Sequence, residues 1–196
     1  MMFATLSNQL TFARMAAIPL VCLCLVLSGP VAAWAACLLF IAAAITDYFD
    51  GYLARSRAEL TTLGRVLDPI ADKLLVAATI LMLVFNGRVD GWSVIPALVI
   101  LLREVAVSGL REFLAELKIG LPVSRLAKWK TGIQMTAIPF LIMAAHAPYI
   151  AFGGSFGFQI PAHFIGTVLL WVAGALTVIT GWDYWQSARK HFGSAV

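Results

Sequence analysis

Residues 131–182 read TGIQMTAIPFLIMAAHAPYIAFGGSFGFQIPAHFIGTVLLWVAGALTVITGW, 52 residues without an Asp, Glu, Lys or Arg. One bilayer crossing takes roughly 20 apolar residues, so this run holds two membrane spans and a hairpin. A second charge-free run, Met15–Thr46, covers 32 residues and is broken at Gly29-Pro30, a turn pair. It too reads as two helices. Two further candidates lie between the runs, Pro69–Asn86 and Trp92–Leu114. The expected fold is therefore an all-α integral membrane protein with six transmembrane helices. Residues 1–196 are expected to form a single polytopic membrane domain, because too little chain is left over for a second, soluble one.

Composition points the same way. The chain is 61% hydrophobic and 12% charged, with a mean hydropathy of +0.91, whereas an ordinary soluble domain carries about 25% charged residues. A water-soluble globule is excluded. Cys22, Cys24 and Cys37 all fall inside expected spans without metal-type spacing, and read as small apolar packing residues. Ala33-Trp34-Ala35 imitates a signal-peptide cleavage site, but cleavage there would discard a helix that the charge pattern needs.

The net charge of +4 is distributed unevenly. Six spans place the turns at 29–31, around 87–91 and around 147–160 on one face of the membrane, and of the 14 Lys and Arg only Arg88 lies there. The other 13 fall near the N-terminus, around 55–73 and 103–130, or at Arg189-Lys190. The asymmetry puts both termini and both charged loops in the cytoplasm. It argues for a multi-pass protein of a bacterial-type inner membrane and against nucleic acid as a partner. Trp182, Tyr184 and Trp185 close the last helix as interfacial aromatics would, and Arg88 and Asp90 read as ordinary turn charges. Pro19, Pro96 and Pro139 are expected to kink their helices. His146 and His163 flank the last outer turn without partners at ligand spacing.

Four of the six aspartates lie within 26 residues, at the mouth of two apolar helices. They read Asp47-Tyr-Phe-Asp50-Gly51-Tyr-Leu-Ala54-Arg55, then, after eight residues, Gly64-Arg-Val-Leu-Asp68-Pro-Ile-Ala-Asp72. Asp47 and Asp50 are spaced i, i+3 and Asp68 and Asp72 i, i+4, so each pair shares a helix face. Close carboxylates beside hydrocarbon repel one another unless a cation sits between them. Hard oxygen donors without His or Cys point to Mg²⁺ or Mn²⁺, and four acids can hold two such ions. Two ions bind a diphosphate and stabilise both oxygens of a phosphoryl displacement. Gly51 and Gly64 remove side chains where a ligand approaches closely, Ala54 keeps the same face narrow, and Arg55 is placed to hold a phosphate.

This stretch resembles the signature of the CDP-alcohol phosphotransferase family, D-x2-D-G-x2-A-R-x8-G-x3-D-x3-D, at all eight specified positions. The resemblance implies a six-helix membrane enzyme, typically a homodimer among membrane lipids, that moves a phosphatidyl group from a CDP-linked donor to an alcohol and releases CMP. It also implies roles. Asp47, Asp50 and Asp68 would be metal ligands, and Asp72 would complete a dinuclear site and act as the base that deprotonates the acceptor. Gly51, Arg55 and Thr61 would contact the CDP part of the donor. Asn8-Gln-Leu-Thr11-Phe-Ala-Arg14 is similar to the N-x-L-T-x-x-R opening of the phosphatidylglycerophosphate synthases, where the Asn and Thr lie near the nucleotide. The stretch from Arg103-Glu104 to Arg111-Glu112 and the one from Ser124 through Ala127-Lys128-Trp-Lys130-Thr131 to Gln134-Met135 resemble that subfamily too. Departures are Ala127, where relatives commonly have Gly, and the lack of a Pro before Asn8.

Without the family, the acceptor half of the site rests on cations. Arg103 lies eight residues before Arg111, about 12 Å deeper along a helix. At that depth an arginine marks either a water-filled site or a pair with a carboxylate on a neighbouring helix. Lys128 and Lys130 begin the fifth span, as anion-binding groups or snorkelling anchors. An acceptor that itself carries a phosphate needs such a cationic cluster, and glycerol 3-phosphate qualifies, with Arg103, Arg111 and Lys128 as its contacts. Taken with the resemblance, which implies the CDP-linked donor and the same acceptor, the expected reaction is phosphatidyl transfer from CDP-diacylglycerol to sn-glycerol 3-phosphate. A transferase making cardiolipin, phosphatidylserine or an inositol lipid is the nearest alternative, and serine would not need the cations. A divalent-cation transporter would carry its acids deep in several spans, and a purely structural subunit would not need the signature.

Overall fold

The turn pair at Gly29-Pro30 divides the first apolar run into α1, Leu6–Leu27, and α2, Pro30–Arg57. Pro30 opens α2 at the position where a missing N–H costs no hydrogen bond. The computed structural model describes residues 6–27, 29–57, 62–116, 124–147, 149–152 and 158–192. Within them, the side chains of 6–7, 47–57, 62–66, 116, 149–152, 158–160 and 190–192 lie outside the description.

Four more helices follow: α3, Thr62–Phe85; α4, Val94–Glu116; α5, Arg125–Met143; and α6, Ala162–Phe192. Two of them begin earlier than the apolar runs suggest. Helix α3 starts before Pro69 and continues through it, because a proline removes one backbone hydrogen bond while the rest of the ladder survives. Helix α5 starts at Arg125 rather than at Thr131. Ser124 caps it, its hydroxyl accepting from the Ala127 N–H at 3.2 Å, so the charged turn is helical as well. Pro96 is the third residue of α4, in a first turn whose N–H groups have no intrahelical partner, so it does not interrupt the helix there. Between α5 and α6, Tyr149–Phe152 (β1) and Phe158–Pro161 (β2) pair antiparallel as a small hairpin in the expected outer turn.

Helix α1 packs against α2 and α3, α5 against α6 and α2, and α4 against α6. Hydrogen bonds tie the ends together. After α3 the chain turns in a Schellman motif: Arg88 N–H donates to Leu83 C=O at 2.9 Å and Gly87 N–H to Val84 C=O at 3.0 Å. Gly87 holds the left-handed conformation this requires, with φ 64°. Asn86 then donates to Leu25 C=O at 3.0 Å, Arg88 donates to Ile142 C=O, and the His163 ring meets Arg88 C=O at 3.1 Å. Each satisfies a group at the end of α1, α5 or the start of α6. Arg88 is thus a buried connector and not a solvated turn charge. At the opposite end Thr11 of α1 meets Asp68 of α3, Lys130 of α5 meets Glu104 of α4, and Arg103 meets Thr180 of α6. All polar chemistry described below lies at this second end.

The core between the helices is built from Val21, Leu25, Phe40, Leu75, Ile80, Leu83, Ile100, Ile138 and Leu141. Glycine sets the closest approaches: a Cβ on Gly174 would lie 2.7 Å from Pro96 Cβ, and one on Gly166 2.7 Å from Leu141 Cγ. The outer surface is apolar, with Leu23, Val31, Leu38, Leu81, Phe85 and Val105 all more than half exposed. Among the described residues three segments, Asn8–Leu27, Gly91–Ala115 and Ala162–Arg189, are long and apolar enough to cross a membrane, and Pro30–Thr46 is a shorter apolar helix.

Candidate active site

Asp68 and Asp72 stand on the first half of α3, one turn apart and half-buried. Thr11 donates its hydroxyl hydrogen to Asp68 Oδ1. Asn8, Thr11 and Arg14, spaced three residues apart on α1, are each 1% exposed. A polar stripe buried in an otherwise apolar helix is costly unless it faces polar partners, and the Thr11–Asp68 bond supplies one. The expected donor-side residues of α1 thus sit beside an expected metal ligand.

Asp47, Asp50, Gly51, Ala54 and Arg55 fall on the last turns of α2, and Gly64 on the first turn of α3. Their surroundings lie outside the described residues, and Thr61 lies outside them altogether. Among the described residues no cluster of three or more His, Cys, Asp or Glu is found. The donor set in this part of the chain consists of carboxylates alone, with a hydroxyl bonded to one of them, and fits a hard divalent cation.

The residues expected to hold the acceptor are all among the described ones. A cavity of about 680 Å³ opens between α3, α4, α5 and α6, with Asp72, Arg103, Arg111 and Lys128 all on its wall. Four residues from three helices, chosen by sequence as base and anion-binding groups, line one space. Arg111 and Lys128 are exposed to it. Arg103 is held from three sides: Glu104 Oε1 at 3.5 Å, the Thr180 hydroxyl at 3.2 Å and the Tyr184 ring, whose centroid is 5.4 Å from the guanidinium carbon. A Cβ on Gly181 would lie 3.3 Å from Arg103 Cγ, so this glycine lets the side chain pass across α6. Of the two readings left open for Arg103, the polar cavity holds; its carboxylate partner Glu104 is its chain neighbour on α4 and not a group on a neighbouring helix. The capped start of α5 brings further positive potential from its unpaired N–H groups.

Lys130 does not join this anion site. It is 1% exposed and bonded to Glu104 on α4, away from the cavity wall. Two residues along a helix turn the side chain about 200°, so Lys128 and Lys130 cannot face the same space. Tyr184 is also not an interfacial aromatic: it is 6% exposed beneath Arg103, while Trp182 and Trp185 beside it face outward. Glu104, Lys73 and Tyr184 are the cavity residues that sequence reasoning passed over. A carboxylate next to a deep arginine, on a helix with few other charges, was the available signal for Glu104.

A bundle of apolar helices with acids and cations gathered around one cavity at one end defines a membrane protein that works on a charged substrate at the bilayer edge. The comparisons with known proteins make this specific. The family model described as CDP-alcohol phosphatidyltransferase matches residues 4–179, and the chain belongs to that family, which generally uses divalent metals. A CDP-diacylglycerol--glycerol-3-phosphate 3-phosphatidyltransferase of Rickettsia bellii is 46% identical over 187 residues, covering 95% of this chain and 97% of the relative. A protein of the same description from Bacillus subtilis is 36% identical, covering 92% and 93%. A cardiolipin synthase (CMP-forming) of rice is 41% identical over 149 residues, covering 70% of this chain and 45% of the relative.

Proposed function

We propose that this chain transfers the phosphatidyl group of CDP-diacylglycerol to sn-glycerol 3-phosphate, giving phosphatidylglycerophosphate and CMP. The observation that carries the reading is the shared cavity of Asp72, Arg103, Arg111 and Lys128. It offers a base next to a cationic pocket, which suits an acceptor with a hydroxyl at one end and a phosphate at the other. Its relatives of that description, aligned nearly end to end, support it.

In the proposed reaction Arg111, Lys128 and Arg103 bind the phosphate of the acceptor and orient its 1-hydroxyl toward Asp72. Asp72 takes the proton, the oxygen attacks the β-phosphorus of the donor, and the bond to CMP breaks. Asn8, Thr11, Gly51, Ala54, Arg55, Thr61 and Gly64 would hold the nucleotide and diphosphate of the donor. Asp47, Asp50, Asp68 and Asp72 would hold two Mg²⁺ ions, which when bound neutralise the diphosphate and the charge on the departing CMP. Thr11 keeps the Asp68 carboxylate in place. No covalent enzyme intermediate is invoked, since among the described residues no Ser, Cys or His stands in a nucleophile–base arrangement with the acids.

The proposed setting is an inner membrane crossed six times, with both termini and the cavity on the cytoplasmic side, and a homodimer as the family resemblance implies. It is supported by the 13 of 14 cations on that side and by the polar end of the bundle. The rice relative favours a second reading, in which phosphatidylglycerol is the acceptor and cardiolipin the product. Purified protein given CDP-diacylglycerol, Mg²⁺ and labelled glycerol 3-phosphate separates them. The expected result is labelled phosphatidylglycerophosphate with equal CMP. Release of CMP with phosphatidylglycerol, serine or an inositol phosphate but not with glycerol 3-phosphate contradicts it.

A further inference from the structure

Gln134 lies one turn beyond Lys130 on α5 and is 2% exposed, and its amide oxygen has no hydrogen-bond partner among the described residues. A buried acceptor without a donor has given up water and gained nothing in exchange, so such atoms are rare and point to a missing partner. Gln134 borders a pocket of about 20 Å³ whose wall also includes Asp72, Lys73, Glu104, Thr131 and Met135. That is room for one water-sized group. The same five residues line the large cavity. The small pocket is therefore an alcove of the active site, opening beside Asp72.

The chemistry of the wall selects what enters. Glu104 already accepts from Lys130 and faces Arg103, and the Thr131 hydroxyl donates to Ala127 C=O at 3.1 Å. Glu104 is offset by Lys130 and Arg103, and Lys73 shares the wall with Asp72, so the wall carries no net charge that calls for a cationic donor. A neutral O–H is the donor that fits. We infer that the alcove is the subsite for the hydroxyl adjacent to the reacting one on the acceptor alcohol, and that Gln134 Oε1 accepts its hydrogen bond. This rests on the reading that the acceptor is glycerol 3-phosphate. With the 1-hydroxyl at Asp72 and the phosphate on Arg103, Arg111 and Lys128, the remaining 2-hydroxyl lies between them, next to the alcove. Gln134 thereby makes the site selective for a polyol phosphate. A fixed water is the other source of the same donor, and the two make different kinetic predictions.

The test compares glycerol 3-phosphate with 3-hydroxypropyl phosphate, which keeps the reacting hydroxyl and the phosphate and lacks only the 2-hydroxyl. The wild-type protein is expected to prefer glycerol 3-phosphate on the order of 100-fold in kcat/KM, because a site built for a hydroxyl rejects the analogue that leaves its acceptor unpaired. Gln134→Met, close in size, should shrink that ratio about 10-fold or more by losing activity on glycerol 3-phosphate alone. Gln134→Asn, which keeps the amide, should retain more of the preference than the Met variant. Equal use of both acceptors by the wild type overturns the subsite even if neither variant folds. So does an equal fall for both acceptors in Gln134→Met, which is the signature of a fixed water. Wild-type protein that releases no CMP with glycerol 3-phosphate instead removes the proposed function, and the subsite with it.

Discussion

Asp72 is the residue where the two halves of the site meet, carried on the helix of the acids and facing the cations of α4 and α5. As the proposed base it should be needed for turnover but not for folding, since it is half-buried at a cavity and not in the core. Asp72→Asn should lower kcat about 10³-fold, the middle of the range for a general base. Binding of CDP-diacylglycerol, followed by equilibrium dialysis, should persist. Wild-type turnover by this variant would remove the assignment. Arg111 and Lys128 make charge-assisted contacts in the proposed complex, each worth about 1.5–3 kcal/mol. Arg111→Ala or Lys128→Ala should therefore raise the KM for glycerol 3-phosphate about 10- to 100-fold, with little change for the donor. A change confined to the donor would place the acceptor elsewhere.

Among the elements, the contact of α4 with α6 depends on the absence of a side chain at Gly174, where a Cβ would meet the Pro96 ring and backbone. A proline ring cannot rotate away, so Gly174→Ala should destabilise the protein by about 1–3 kcal/mol, as overpacked contacts do. Thermal unfolding in detergent measures it. Gly109→Ala on α4, where nothing lies within 4 Å, is the matched control and should show no loss. Which helices exist was readable from charge-free runs and from Gly29-Pro30, because burial in lipid and a turn pair act locally. Where α3 and α5 begin was not, since a charged turn can be as helical as an apolar one. Lys130 shows the other limit. Its distance of two residues from Lys128 already put the two on opposite faces, but its partner Glu104 becomes visible only when α4 and α5 are side by side. Arg88 was misread for the same reason, as the Ile142 carbonyl it binds is 54 residues away. Of the four cavity residues proposed for the site, Arg103 carried its own signal, an arginine being expensive at membrane depth, while Asp72, Arg111 and Lys128 were marked by the acidic motif and the clustered cations.

For the whole molecule, one end of the bundle is closed by hydrogen bonds from the Asn86 and Arg88 side chains to backbone carbonyls, and the other holds the acids, the cations and the cavity. In the proposed reaction that division would let the donor keep its acyl chains against the apolar outer surface while its diphosphate reaches the polar end. The proposed reaction depends on divalent cations held by Asp47, Asp50, Asp68 and Asp72. Its most direct test is a titration of the purified protein with Mn²⁺ followed by electron paramagnetic resonance, with and without CDP-diacylglycerol. Two bound ions per chain are expected in the presence of the donor, with binding competed by Mg²⁺ and loss of at least one ion in Asp68→Asn and in Asp47→Asn. Stoichiometric donor binding with no Mn²⁺ retained, or Mn²⁺ binding unchanged in both variants, would contradict it.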